Sequence, residues 1–411
     1  MPILLEEDLQ RPLPRMYRVR QQFDETRLED VAGTVRAELA KPEIRALVKP
    51  GMRIAVGVGS RGIQNLYTTV ETTVNSLKEL GAEPFIVSAM GSHGGGTEEG
   101  QREVLAGYGI TEERLGVPVV TTVDTVYLGN CANGRPVWFD RAAYEADLIV
   151  PINRVKLHTD FVGPIQSGLC KMLVIGLGNH KGCSAVHEEA PEVFADAIEE
   201  TARLILQKAP VGFGIAILEN AYDKTYAVEA VPAEHLVERE KELVQIAKGN
   251  MPYIMLDEAD VIVCGAIGKD ISGAGFDPNI LGRSSVLKQF VLHIPRYQRL
   301  VLCDVTPASH GNGIGVGLFD VITKKVAEQL DLESMYANAI ACNCLGDASV
   351  PCTVDDEETA IRVALKCCRN IDRDHPRIIR IQNTLHLGEI EVSEALLDAV
   401  RADSRMSLIE N

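Results

Sequence analysis

The sequence predicts an α/β protein with two α/β domains and mostly parallel sheets. Short apolar runs rich in β-branched residues alternate with amphipathic stretches along almost the whole chain. Continuous apolar strands separated by helices of about 12 or more residues are typical of parallel sheets covered on both faces. In such architectures ligands bind where loops leave the carboxyl ends of strands and between domains. We therefore expect the active site to lie in the interdomain cleft.

The predicted elements follow one another along the chain. The predicted strands are RIAVGVG (53–59), PFIVSAM (84–90), DLIVPINRV (147–155), VGFGIAILE (211–219), DVIVCGAI (260–267), RLVLCDVT (299–306) and RIIRIQNT (377–384). The predicted helices are LYTTVETTVNSLKELG (66–81), PEVFADAIEETARLILQKA (191–209), AEHLVEREKELVQIAKG (233–249), EETAIRVALKCCRNI (357–371) and a final helix over SEALLDAVRADSRMSLIEN (393–411).

A domain boundary is predicted close to residue 255. The segment KGNMPYIMLDEAD combines a glycine at a helix end, a proline and an acidic cluster, and a fresh strand follows it. We expect an N-terminal α/β domain over 1–255, a C-terminal α/β domain over 256–400 and a tail over 401–411.

Composition narrows the class of protein. The chain has 411 residues and a net charge of −17, which disfavours binding to nucleic acid or to an anionic membrane surface. Apolar runs fall short of the roughly 20 residues that span a bilayer, and the acidic, proline-broken start MPILLEEDLQRPLPR does not fit a signal peptide. The ten cysteines form no CxxC pair. Reduced thiols of this kind are typical of a cytoplasmic protein.

Several predicted strands are followed directly by polar or basic residues. Arg61 follows the first strand, His93 the second, Lys156 and His158 the third, and Lys269 with Asp270 the fifth. The sixth strand runs into a glycine-rich loop, TPASHGNGIGVG, to which the sequence assigns no role. Because parallel strands end at the same edge of a sheet, these side chains are expected to converge on one cleft.

The first of these loops also contains a GxGxxG pattern, Gly57 to Gly62, directly after a strand. Such a pattern can bind a dinucleotide, so an NAD-dependent dehydrogenase is one alternative. Two observations weaken it: the second strand ends in MGSHGG without the acid that binds the ribose, and Arg61 would crowd the pyrophosphate. A non-catalytic protein that binds a metal or an anion in the same cleft is the other alternative.

The stretch from His158 to His187 carries most of the chemical information. Lys171 lies between these two imidazoles, and glycines recur, Gly176 and Gly178 among them. Imidazole and a tunable amine are the side chains of metal ligation, proton transfer and Schiff-base chemistry. Glycine lets the backbone approach a non-protein group closely.

Together, Arg61 in a Ser-Arg turn, His93 in a Gly-x-His-Gly loop, and then His158, Lys171 and His187 resemble lactate racemase and its homologues. These enzymes use a nickel-pincer nucleotide (pyridinium-3-thioamide-5-thiocarboxylic acid mononucleotide). The resemblance extends from about residue 50 to about residue 320. The 16-residue step from Lys171 to His187 matches the interval in the family between the modified lysine and the nickel ligand.

The resemblance implies a role for each matching residue. Lys171 would carry the cofactor covalently, with Ser60, Gly176 and Gly178 beside it, and His187 would bind nickel. His93 and His158 would act as the acid/base pair, one for each enantiomer of a 2-hydroxy acid. The substrate would be held by Arg61 and Lys269. The resemblance further implies cofactor-assembly enzymes as partners; a homo-oligomer is compatible with the sequence.

Departures from the family pattern concern the substrate. Val58-Gly59-Ser60-Arg61 stands where lactate racemase carries Asp-x-Thr-Arg, and the step from His158 to Lys171 is 13 residues, three longer than in that enzyme. Ser272-Gly273-Ala274-Gly275-Phe276 replaces a segment that helps to bind lactate. We expect a racemase or epimerase that is not specific for lactate. We also expect a larger, mainly apolar substrate side chain, with Phe276 adding apolar surface to the pocket if its ring points inward.

Overall fold

A computed structural model describes residues 3–60 and 62–410. Its strands, in chain order, are β1 (Met16–Gln21), β2 (Arg53–Val58), β3 (Glu83–Ser88), β4 (Val119–Val120), β5 (Thr125–Asn130), β6 (Pro136–Asp140), β7 (Leu148–Arg154), β8 (Phe213–Glu219), β9 (Thr225–Pro232), β10 (Val261–Cys264), β11 (Arg299–Leu302), β12 (Val321–Thr323), β13 (Cys352–Val354), β14 (Ile378–Ile381), β15 (Glu389–Ser393) and β16 (Met406–Leu408).

The α-helices, in chain order, are α1 (Glu6–Gln10), α2 (Val31–Leu39), α3 (Pro42–Arg45), α4 (Leu66–Glu79), α5 (Glu98–Gly107), α6 (Glu112–Leu115), α7 (Arg141–Tyr144), α8 (Leu169–Lys171), α9 (Asn179–His187), α10 (Phe194–Lys208), α11 (Leu236–Asn250), α12 (Pro278–Leu281), α13 (Lys324–Gln329), α14 (Leu332–Ala341), α15 (Glu357–Lys366) and α16 (Leu397–Ala402). A π-helical turn, Met172–Gly176, lies between α8 and α9. No helix among the described residues is long and apolar enough to cross a membrane.

The chain divides into two compact units, the first of which is residues 25–251. Its main sheet has the order β4-β3-β2-β7-β8-β9, and all neighbours are parallel except β9, which runs antiparallel to β8. Strands β2 and β3 are buried at every position after the first, as expected for strands covered on both faces. From β2 the chain builds β3 and β4 on one side and then β7 on the other. The strand order therefore reverses between β2 and β7.

The second unit comprises residues 3–24 and 252–410. Its sheet has the order β13-β12-β11-β10-β14-β15-β1-β16, with parallel pairs from β13 to β14 and antiparallel pairs from β14 to β16. Strand β1 pairs with β15 and β16, so the start of the chain completes a sheet that is otherwise built from residues after 252. The sequence analysis had placed these first residues with the N-terminal domain.

The α/β class and the largely parallel sheets are confirmed, and each predicted strand overlaps one of the observed strands. The predicted final helix is wrong over most of its length. Only Leu397–Ala402 is α-helical there, and a turn follows in which Asp403 accepts the N–H of Arg405 at 2.9 Å. The chain then extends as β16, where Met406 pairs with Gln21 of β1. Pairing with an edge strand stabilises an extended conformation that local helical periodicity does not reveal.

Candidate active site

The candidate site begins where β2, β3 and β7 end. These three strands are neighbours and parallel, so their carboxyl ends lie at one edge of the sheet. Ser60 follows β2, His93 follows β3, and His158 follows β7. Ligands of open α/β sheets bind at this edge, at the point where the strand order reverses. Here that point lies between β2 and β7.

The loop after β3 contacts two other segments: the loop after β2 and the helical segment that follows Lys171. Nδ1 of His93 is in hydrogen-bond contact with Oγ of Ser60, in the loop after β2. The N–H of Gly91 donates to the carbonyl of Gly176 at 3.0 Å, which ties the loop to the π-helical turn. Ser92 places its Oγ 3.8 Å from the sulfur of Cys183 in α9. His93 is thus fixed between the β2 exit and the helical segment that follows Lys171.

Backbone hydrogen bonds close the base of the loop after β7, and further hydrogen bonds inside the loop fix its conformation. Lys156 and Ser167 exchange backbone hydrogen bonds of 2.9 and 3.1 Å across the neck of the loop. Inside it, the buried Gln166 side chain accepts the N–H of His158 at 2.8 Å. The N–H of Asp160 donates to Nδ1 of His158 at 3.0 Å, so a neutral imidazole carries its proton on Nε2. The loop therefore presents a defined edge of this ring.

That edge of His158 faces Lys171. Nε2 of the imidazole contacts Nζ of the lysine. The ring of Phe161 stacks on His158 with centroids 4.3 Å apart, and Nζ of Lys171 lies 5.8 Å from the centre of the same ring. The 13-residue step between histidine and lysine thus forms a closed loop whose ends meet. An aromatic wall lies beside both groups.

Lys171 ends α8, and the chain continues through the π-helical turn into α9. Such turns occur mostly within helices and often at functional sites. The glycines here pack against protein: a Cβ on Gly176 would lie 2.7 Å from the carbonyl oxygen of Ala89, and one on Gly178 would lie 2.2 Å from that of Val174. Both glycines are buried. The close approach that requires glycine at these two positions is to the backbone of the chain itself.

His187 lies at the end of α9 and points one nitrogen back along the helix. Its Nδ1 donates to the carbonyl oxygen of Cys183 at 2.7 Å and lies 3.5 Å from the Cys183 sulfur. In the neutral ring this leaves the lone pair on Nε2, and such a contact typically fixes the tautomer of a metal-binding histidine. The hydrogen bond with Cys183 raises the pKa of His187, against the effects of burial and of nearby Lys171. Burial raises the pKa of the Cys183 thiol, but contacts with His187 and Ser92 outweigh it and lower that pKa overall.

An aromatic bridge connects His187 with the pair formed by His158 and Lys171. Phe194 at the start of α10 meets His187 edge-on, with centroids 5.1 Å apart, and lies 4.8 Å from Phe161. The predicted residues of this unit that the structure describes therefore form one connected group. Its chemistry comprises three imidazoles, an amine and a thiol.

Two buried charged residues that the sequence analysis missed hold the two ends of the segment from Lys171 to His187. Glu240 of α11 is fully buried and accepts the N–H of Cys170 at 2.8 Å. Arg135, 4% exposed in its side chain, contacts Glu189 and bonds to Glu200 at 2.9 Å. One signal could have revealed Glu240: it lies between Val237 and Val244 on the buried face of α11. Arg135 lies in a turn without such a signal.

Of the two residues predicted to bind substrate, Arg61 and Lys269, the structure describes only the second. Arg61 lies outside the described residues. Lys269 belongs to the other unit, where its Nζ donates to the carbonyl of Gly273 at 2.7 Å and contacts Asn338. Phe276 is completely buried in the core of that unit, with its ring centre 5.4 Å from that of Phe319. Core packing therefore occupies the ring, so the condition that Phe276 points into a pocket is not met.

The acidic and thiol side chains do not add a protein-only metal site. Among residues 3–60 and 62–410, no group of three or more His, Cys, Asp or Glu side chains is arranged to hold a metal ion.

Comparison with known proteins finds similarity to lactate racemase in the first part of the chain. Residues 11–196 match the lactate racemase N-terminal domain. The lactate racemase apoprotein of Thermoanaerobacterium thermosaccharolyticum has a similar structure, with a TM-score of 0.52 and 13% identity over 89% of this chain and 93% of that one. A crystal structure of a Thermotoga maritima protein gives a TM-score of 0.50 and 14% identity over 80% of this chain and 85% of that one. No curated protein matches the sequence. Residues 11–196 are thus similar to the lactate racemase N-terminal domain, and the chain has a fold similar to that of the lactate racemase apoprotein.

Proposed function

We propose that this protein is an isomerase that racemises or epimerises a 2-hydroxy acid and is not specific for lactate. The family of its first part and its fold support a racemase-type function. One observation carries the proposal further: His158 contacts Lys171, and Phe161 and Phe194 connect this pair to His187. The loop that carries His93 is tied to the same helical segment through its neighbours Gly91 and Ser92. Both alternatives from the sequence, an NAD-dependent dehydrogenase and a non-catalytic binding protein, leave this particular set unexplained.

The residues fit a nickel-pincer nucleotide. Lys171 would hold it covalently, since its amine projects from a short helical turn beside an aromatic wall. His187 would give nickel one imidazole nitrogen, and the Cys183 carbonyl leaves Nε2 for that bond. Soft sulfur donors with one imidazole suit square-planar nickel. The chemistry that this group supplies when bound is the reversible acceptance of hydride from the substrate Cα.

His93 and His158 would exchange the substrate hydroxyl proton, one for each enantiomer. Two bases are needed because the enantiomers present their hydroxyl groups in different directions. The ordinary pKa of imidazole, near 6.5, suits reversible proton transfer around neutral pH. Ser60 orients the first ring, and Asp160 with Phe161 orients the second. Arg61 would hold the substrate carboxylate through two parallel hydrogen bonds.

The proposed function can be tested with substrates that carry deuterium on Cα, by measuring whether the deuterium stays there. Protein co-produced with cofactor-assembly enzymes is incubated with single enantiomers of 2-deuterio-2-hydroxy acids of graded size, and the products are separated by chiral chromatography. We expect racemisation with deuterium retained at Cα, because hydride returns to the carbon it left. Exchange with solvent protons would instead indicate proton abstraction. Accumulation of oxo acid with added NAD would favour the dehydrogenase, and binding of nickel without turnover would favour the non-catalytic protein.

A further inference from the structure

The described structure contains a carboxyl group that the proposed mechanism does not use and that lies against the turn carrying Lys171. Glu240 is completely buried at the middle of α11. A carboxylate is costly to bury unless a cation or hydrogen-bond donors compensate it. Its contacts are with Leu169 and Cys170 at the start of α8, and no cationic side chain contributes to them. An apolar residue at this position would continue the buried stripe of the helix without that cost.

The geometry around Glu240 is built to receive it. A Cβ on Gly168 would lie 2.6 Å from the carboxyl carbon, so only glycine allows the carboxyl group to reach the start of α8. The carbonyl of Gly168 is held from the other side by Nδ2 of Asn153 in β7, at 2.8 Å. Oε2 of Glu240 then accepts the N–H of Cys170 at 2.8 Å. The turn is thus fixed between β7 and α11, and Lys171 is the next residue along.

We propose that Glu240 is a positioning residue that sets the place and reactivity of the Lys171 amine for covalent attachment of the cofactor. The proposal rests on the function proposed above. In the attachment, the amine nitrogen forms a bond to a thiocarboxyl carbon of the cofactor, the C–O bond breaks, and water leaves with sulfur kept as C=S. Glu240 does not touch the amine. It acts through the one turn of backbone whose amides it binds.

Protonation of Glu240 bears on the same turn. Burial raises the pKa of this carboxyl to about 7, although the amides of Cys170 and Leu169 and the Cys170 thiol lower it. The facing titratable group on α8 is that thiol, whose own pKa is held well above its ordinary value by burial and by Glu240, with Glu199 and Arg203 of α10 nearby. A charged carboxylate binds backbone amides more strongly than a neutral carboxyl. The hold on the turn therefore changes near neutral pH.

The experiment measures Lys171 itself. Apoprotein is acetylated with a limiting amount of an amine-directed reagent from pH 6 to 8. The rate at Lys171 is divided by that at Lys324, an exposed lysine of the other unit, using peptide mass spectrometry. In parallel, the intact mass of protein co-produced with the assembly enzymes is measured to quantify the cofactor adduct. The variants are Glu240→Leu, which removes both oxygens, and Glu240→Gln, which keeps an acceptor for the Cys170 N–H. Glu242→Gln on the exposed face of α11 is the matched control.

For Glu240→Leu we expect a labelling ratio different from that of the native protein and about 10–100-fold slower adduct formation, the range for loss of an outer supporting contact. Glu240→Gln should restore adduct formation but flatten the pH profile of the labelling ratio, and Glu242→Gln should match the native protein. Native labelling and native adduct formation in Glu240→Leu would overturn the proposal. If that variant does not fold, an unchanged pH profile in Glu240→Gln overturns it instead. Native protein that takes no adduct refutes the proposed function, while the labelling still decides the role of Glu240.

Discussion

The segment from Lys171 to His187 is held at its two ends by opposite charges. At the Lys171 end, a buried carboxyl group binds backbone amides and faces no cation. At the His187 end, the buried guanidinium of Arg135 lies between Glu189, two residues beyond His187, and Glu200 of α10, and it also donates to the carbonyl of Ala197 at 3.2 Å. The Lys171 end is therefore held by a single carboxyl group, and the His187 end is held by a network of ion pairs.

The two ends differ in whether the charge of the residue that holds them changes with pH. Arginine stays protonated at all ordinary pH values. Burial lowers the pKa of Arg135, but its interactions with Cys131 and Glu189 outweigh burial and raise that pKa overall. The Glu240 carboxyl, in contrast, changes charge near neutral pH. We infer that Arg135 holds the His187 end with a constant charge, whereas Glu240 holds the Lys171 end with a carboxyl group that titrates. The predictions below compare the two ends.

The largest expected effect separates the roles of the ends. Lys171→Ala should abolish the mass adduct of protein co-produced with the assembly enzymes, since no amine remains to form the bond. His187→Ala should keep the adduct and lower the nickel content, because one donor of the metal is lost. Intact mass and metal analysis of the same preparations measure both quantities. If Lys171→Ala carried as much adduct as the native protein, Lys171 would not be the attachment site. If His187→Ala contained as much nickel as the native protein, His187 would not be the nickel ligand.

The sequence was sufficient to find both ends but not what holds them. Lys171 and His187 stand out because basic side chains in a glycine-rich stretch are unusual, and β-branched runs locate the strands that precede the site. The carboxyl of Glu240 meets Cys170 across 70 positions of sequence, a contact that no local pattern contains. The ribbon of β5 and β6 was likewise missed: along β5 no residue is fully buried, so it lacks the apolar alternation of a strand.

The two histidines proposed to act as acid and base should respond alike although they belong to different loops. His158 contacts Lys171, whereas His93 contacts Ser60 and lies in the loop that meets α9. Racemisation crosses both half-reactions, so His93→Ala and His158→Ala should each lower turnover in both directions by about 10²–10⁴-fold. Adduct mass serves as the control and should stay at the native level for His93→Ala. Normal turnover in either variant would assign that histidine a structural role.

Stability should fall most at the His187 end. Arg135→Ala leaves Glu189 and Glu200 without their buried partner, and removing one member of a buried pair costs about 3–5 kcal/mol. Glu189 and Glu200 are partly exposed, so we expect the lower part of that range. Denaturant unfolding measures the change in free energy. Arg203→Ala, whose side chain is 45% exposed while pairing with Glu199 and Glu238, should change it by less than about 1 kcal/mol. Equal losses in the two variants would contradict the role given to Arg135.

At the Lys171 end, we expect Glu240 to change how the free energy of unfolding depends on pH. The pKa of Glu240 is raised to about 7 in the folded protein, from an ordinary value of 4.5. Between these values the folded state keeps a proton that the unfolded state releases, so the contribution of Glu240 is fully present below about pH 4.5 and is lost as pH rises through 7. One pKa unit corresponds to about 1.4 kcal/mol, so the difference between 4.5 and about 7 sets an upper limit between about 3 and 4 kcal/mol.

Glu240→Gln cannot titrate, so the native protein should lose stability relative to this variant as pH rises from 5 to 8. The measurement is the difference in unfolding free energy at each pH, which cancels the titration of every other group that behaves alike in both proteins. Arg135→Ala should give no comparable slope, since its guanidinium stays charged throughout. A difference that is constant with pH for Glu240→Gln would mean that the carboxyl is ionised in the folded protein at all these values. The contrast between a titratable and a constant brace would then be lost.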